Sequence, residues 1–118
     1  MAHSQLRAWE SNTTLDLHGP LHELPRKEVT FLPKFDGEGD ITTLEHVRKH
    51  EFVLHLFDIQ YGDVVCRLFP FTFEGKVSKW YFVFPINTIH GWYDFKRFFQ
   101  SSYDNYNVSH IYLELDEM

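Results

Sequence analysis

The stretch Phe69-Pro70-Phe71-Thr72-Phe73-Glu74-Gly75-Lys76-Val77-Ser78-Lys79-Trp80-Tyr81-Phe82-Val83-Phe84-Pro85 decides the fold. Val77, Trp80, Tyr81 and Phe84 recur at i, i+3, i+4 and i+7, the spacing of one helix face, and this predicts a helix over residues 74–84 closed by Pro85. A strand over 78–84 is the rival, since Trp80 to Phe84 favour extended backbone. That strand would be apolar on both faces and would need a cover that a 118-residue chain supplies poorly. Downstream, Trp92, Phe95, Phe99 and Tyr103 repeat at three, four and four residues, so a further helix is expected after Asn87 or Thr88 as N-cap, ending at Asp104-Asn105-Tyr106-Asn107. No nucleophile, acid–base pair or phosphate loop interrupts this run, which is patterned for packing and assembly.

Upstream of the run, Thr42 and Glu45 stand in capping-box spacing and predict a helix over 42–57, with Leu44, Val47, Leu54 and Phe57 on its inner face and Asp40 as a rival cap. Asp63 is placed to cap a short helix through Leu68-Phe69. Pro70 ends it, because a residue before proline is pushed out of the helical region. Phe71-Thr72-Phe73 then reads as a connection, Val29 to Phe35 as a short extended piece, and Asp36-Gly37-Glu38-Gly39-Asp40 as a turn. Residues 1–30 carry isolated leucines among Ser, Asn, Thr, His and Pro and read as a flexible leader. Ser109 opens a last helical pattern with Ile111, Leu115 and Met118, which stops short and predicts an incomplete final helix. The expected fold is all-α, a compact bundle of four to five short helices over 31–118. Its core would be Leu44, Val47, Leu54, Val65, Leu68, Phe69, Val77, Trp80, Tyr81, Phe84, Ile89, Trp92, Phe95 and Phe99.

Of the 21 aromatic side chains, 17 fall between Phe52 and Tyr106, which concentrates the apolar material in one domain. The net charge is −6 and no basic run exceeds a pair, as in Arg26-Lys27 and Arg48-Lys49, so this segment is not expected to bind nucleic acid. Cys66 is the sole cysteine, which rules out an internal disulfide and a cysteine-rich zinc module, and its apolar neighbours predict a buried thiol. No long apolar run and no signal-peptide order occur, so an intracellular, cytoplasmic protein without membrane contact is expected. The sequons at Asn12 and Asn107 carry no weight in that compartment.

Eight histidines raise the question of metal. His50 and His55 imitate a metalloprotease pair with one residue too many, which sets them ~140° apart on a helix. His46 and His50 share a face but lack a third ligand, and Gly19-Pro20 deny His18 and His22 the helix that would align them. The acidic turn at 36–40 lacks the closing glutamate of a calcium loop, since residue 47 is valine. No metal, cofactor or small-molecule substrate is expected, and the histidines are expected to be solvated or partly buried structural residues.

The order Phe35-Asp36-Gly37, Gly39-Asp40, Phe69-Pro70, Phe73-Glu74-Gly75, Val77, Trp80-Tyr81, Pro85, Ile89, Trp92, Phe95 and Phe99 resembles the Gag region of plant gypsy-class long-terminal-repeat retrotransposons. The resemblance covers about residues 31–118. It implies a capsid N-terminal-type helical domain, without catalytic residues, that associates with other copies into a particle around element RNA. Three features depart from the family. Val77 stands where alanine is usual and Phe73 where leucine is usual, so helices near Gly75 would repack at ~1–3 kcal/mol. His50 stands where an apolar aromatic is expected. The family's downstream zinc knuckle and protease have no counterpart here. With Trp80, Phe84, Phe95 and Phe99 inward, the surplus aromatics Tyr81, Phe82 and Phe98 are the expected interface. The alternatives are a domesticated peptide-binding or protein-interaction module, and an inactive Gag fragment.

Overall fold

The structure, a computed structural model, describes residues 14–84 and 88–106. The described residues form a small all-α bundle of four helices: α1 (Thr43–Leu56), α2 (Gly62–Leu68), α3 (Gly75–Phe82) and α4 (Trp92–Phe98). They contain no strand, only two isolated parallel bridges. Pro85, Asn87 and the pattern from Ser109 to Met118 lie outside the described residues, as does the first part of the leader, residues 1–13.

Helix α1 begins as its capping spacing predicts, with Thr42 Oγ1 accepting from the Glu45 N–H at 3.1 Å. It ends in a Schellman turn. Asp58 takes the left-handed conformation at φ 57°, its N–H donates to the His55 carbonyl, and the Ile59 N–H donates to the Leu54 carbonyl at 2.9 Å. Ile59 then packs beside Leu54 in a satellite cluster with Leu32, Val64 and Leu68.

Helix α2 starts one residue before Asp63, with Tyr61 in the cap position, and stops at Leu68. Phe69 keeps helical angles (φ −60°, ψ −44°) instead of turning extended before Pro70. The chain tightens into a 3₁₀ turn, Phe69–Thr72, in which proline sits in the first turn and no helical N–H is lost. This turn places Phe69 at the centre of the molecule. Its ring meets Trp92, Phe95 and Phe99 edge-on at 5.0, 5.0 and 5.1 Å between centroids.

Helix α3 is shorter than expected, ending at Phe82, and Gly75 serves it differently. The backbone enters the helix at Gly75 with φ 55°, and a Cβ there would meet only the Asp36 side chain, at 3.9 Å. Gly75 therefore supplies a positive φ, and no close helix–helix approach depends on it. Gly37, also at positive φ, is the place of close approach, since a Cβ there would collide with the Tyr103 hydroxyl.

Helix α4 starts later than predicted because Thr88 and Ile89 belong to a bridge. Their N–H groups donate to the Thr14 carbonyl, and Ile89 is buried opposite Leu15. Gly91 precedes the helix, and the Asp94 carboxylate reaches back to the His90 N–H. At its other end α4 widens into a π-turn, Phe99–Tyr103, and helical backbone resumes over 104–106, where the sequence suggested a break. Phe95, Phe99 and Tyr103 all stay buried.

Residues 14–30 of the expected leader are fastened to the bundle. Besides the bridge to Ile89, the His22 N–H and ring face the Asp63 carboxylate at 2.7 Å each, Arg67 donates to the His22 carbonyl at 2.7 Å, and Tyr61 stacks on the His22 ring. Burial works against the Asp63 carboxylate, but the His22 contacts and Arg67 outweigh it and hold its pKa below the usual range.

Candidate interaction surface

Helix α1 carries different chemistry on its two sides. Inward lie Thr43, His46, Val47, His50 and Leu54, all buried. Successive residues turn by about 100°, so Leu44, Arg48, Phe52 and Leu56, four apart, run as a line along the flank and outward side. Leu44 is 45 % exposed, Phe52 61 % and Leu56 64 %. Leu44, expected in the core, is displaced from it because Thr43 and Val47 occupy the inward position of that turn. Beyond the end of α1, Phe57 leans on the exposed Phe31 at 5.8 Å between ring centroids.

Each inward histidine is held through Nε2 by a neighbour from another element, while His50 Nδ1 is buried without a partner among the described residues. The Thr72 hydroxyl donates to the Phe69 carbonyl at 2.6 Å, so its oxygen is left to accept, and His46 Nε2–H is the donor at 2.8 Å. His50 Nε2–H donates to the Val65 carbonyl at 3.1 Å. Both rings therefore carry a proton on Nε2. Burial, then the neighbouring His50 and Lys49, push the His46 pKa down to about 3. Burial pushes His50 down to about 4 against the opposing pull of the Val65 carbonyl and Glu51. These histidines are fully buried, deeper than the solvated or partly buried state expected for them, and their Nε2 atoms are committed to the fold. His50 fills the place where an aromatic was expected, packing against Phe69 and Trp92.

Of the aromatics assigned to an interface, the structure leaves Phe82 in solvent, 79 % exposed. Tyr81 is buried between Phe73 and Phe95, because α3 presents two adjacent flanks to the core: Trp80 toward Phe98 and Phe99, and Tyr81 toward Phe73 and Phe95. Phe98 is half-buried, wedged between Trp80 and Phe84 at 5.4 and 4.5 Å. The exposed apolar set that sequence reasoning missed is the α1 line. Leu44, Phe52 and Leu56, set at multiples of four with Arg48 between the first two, were its available signal, obscured because the inward positions hold histidine.

Phe35, Phe69, Val77, Trp80, Ile89, Phe95 and Phe99 are buried as expected, with Trp92 half-buried and its indole donating to Glu51 at 2.9 Å. Lys96 reaches the same carboxylate at 3.2 Å, which ties α4 to α1. Cys66 is buried, and burial, followed by Asp94 and Asp63, pushes its thiol up to about 12, so it stays protonated. Asp36 closes a local turn on the Glu38 N–H at 2.9 Å, the solvated role expected of that acidic cluster. No helix among the described residues is long and apolar enough to cross a membrane. Comparison with protein-family models, with curated proteins and with solved structures returns no match.

Proposed function

We propose that this chain is a structural assembly protein of the retrotransposon Gag type, pairing with further copies of itself through helix faces as part of a capsid-like particle around element RNA. The supporting observation is the outward line Leu44, Phe52 and Leu56 on a helix whose inner face is already filled. Apolar side chains aligned along a helix and left in water gain most by burial against a like surface. The motif order from Phe35 to Phe99 supplies the Gag reading. Light scattering coupled to size-exclusion chromatography, from low to high micromolar chain, tests it. The expected result is mass rising with concentration and reverting to monomer in Phe52→Asp/Leu56→Asp. A wild-type chain that stays monomeric at high micromolar concentration overturns the reading.

A further inference from the structure

The parallel bridge between Leu15 and Ile89 aligns the residues that follow each partner, Asp16 and His90. The Asp16 N–H donates to the Ile89 carbonyl at 2.6 Å, which fixes the two segments side by side. Asp16 and His18 are two residues apart, the spacing that shares a side of an extended segment. The outcome is one cluster of three donors drawn from segments more than seventy positions apart. Asp16 Oδ2 lies 3.3 Å from His90 Nδ1 and 4.0 Å from His18 Nε2, and the three donor atoms fall within 4.8 Å of one another. The two imidazoles are stacked, with centroids 6.1 Å apart and planes 14° from parallel, so both present a nitrogen to the same carboxylate.

We propose that Asp16, His18 and His90 form a surface site for one divalent transition metal ion, zinc being the best fit. Ligands at bond lengths of 2.0–2.1 Å around tetrahedral zinc stand ~3.3 Å apart, the separation already held between Asp16 and His90. His18, whose side chain is 80 % exposed, is free of packing that would stop it closing the remaining gap. Two imidazoles and a carboxylate suit zinc over calcium or magnesium, which prefer all-oxygen shells. The His90 side of the site is held in place by the Asp94 carboxylate on the His90 N–H at 3.1 Å. His90 Nδ1 also faces the Asp16 carbonyl at 3.3 Å, so the imidazole must give up that contact when metal binds. A fourth position faces solvent for water. The bound ion would fasten the 14–18 strap to the segment before α4, independently of the α1 surface.

The test is zinc competition against a chromogenic chelator on the full, untagged chain, with thermal unfolding measured in parallel. One zinc per chain is expected, with an unfolding midpoint raised by about 5 °C at saturation. His18→Ala and His90→Ala should each weaken binding at least tenfold and remove the thermal shift, while His3→Ala and His55→Ala leave both unchanged. Because His18 is exposed, its replacement leaves the fold intact, as circular dichroism should verify. Absence of saturable zinc binding in the wild-type chain, or undiminished binding in a folded His18→Ala/His90→Ala chain, overturns the proposal.

Discussion

The inward face of α1 buries two histidines, whereas the outward face of the same helix leaves Leu44, Phe52 and Leu56 in water. Simple partition of polar and apolar groups would reverse that arrangement. Burial of a polar group is tolerated where its hydrogen bonds are made, and Thr72 and the Val65 carbonyl meet the two rings at Nε2, leaving His50 Nδ1 without a partner among the described residues. Exposure of leucine and phenylalanine has no such internal compensation. The inner face is thus largely accounted for within one chain, while the outer face is the surface that the proposed pairing of copies would cover.

The largest expected effect comes from removing what the inner face rests on. Phe69 touches both His46 and His50, at 5.2 and 4.9 Å between ring centroids, as well as three aromatics of the α4 segment. Phe69→Ala should cost about 5 kcal/mol, the upper end for emptying a phenylalanine site. A domain of ordinary stability would be left largely unfolded, which urea titration followed by tryptophan fluorescence would register.

Acid should break the inner face by a different route. Both histidines have folded pKa values below the usual 6.5, so the unfolded chain binds more protons and stability rises with pH across the interval. Their contribution is complete at neutral pH and is lost as pH falls from 6.5 toward about 4 for His50 and about 3 for His46. Between pH 7 and pH 5 the loss approaches about 2 kcal/mol for each ring, about 4 in all. Asp63, whose carboxyl is held below its usual range, weakens the fold only under more acidic conditions. Urea midpoints at pH 7, 6 and 5 check the slope, and a pH-independent midpoint would contradict neutral buried rings.

The inner face also marks the limit of what the sequence discloses. Period and caps were readable where the determinants are local: Thr42 with Glu45, the Phe69-Pro70 stop and the aromatic repeat of α4 all lie within a few residues of what they control. The burial of His46 depends on Thr72, 26 positions away, and that of His50 on a main-chain carbonyl that carries no side-chain signature. The Schellman turn at Asp58 lacked its usual glycine signal. The docking of 14–17 rests on one bridge, which is too short to create a period. Tyr81, expected both in the core and at the interface, and Phe98, expected only at the interface, turn inward because α3 meets neighbours on two adjacent flanks, whereas a helical repeat fixes one inward line.

A smaller and sharper test keeps the inner ring and removes its charge chemistry. His46→Phe retains an aromatic between Phe35 and Phe69 but leaves the Thr72 oxygen without its donor, a cost of about 1 kcal/mol at pH 7. The same variant should lose about half of the pH dependence between pH 7 and 5, since His50 alone remains to titrate. Differential scanning calorimetry at both pH values separates the two effects. A variant with the full wild-type slope would show that His46 does not carry its half of the acid sensitivity.

The smallest stability change is expected on the outer face, and there it carries the most information. Phe52 and Leu56 are the most exposed apolar residues of α1, so Phe52→Asp/Leu56→Asp removes little burial within the chain and should shift folding free energy by no more than about 0.5 kcal/mol. Self-association should nevertheless fail, because two carboxylates per copy would have to be desolvated at a contact between like surfaces. Sedimentation velocity on the folded double variant, beside the wild-type chain at equal concentration, reads this difference. If the variant associates as the wild type does, the outward line is incidental and the contrast between the faces of α1 loses its functional meaning. If the variant unfolds instead, the line packs within the chain, and its exposure no longer distinguishes the two sides.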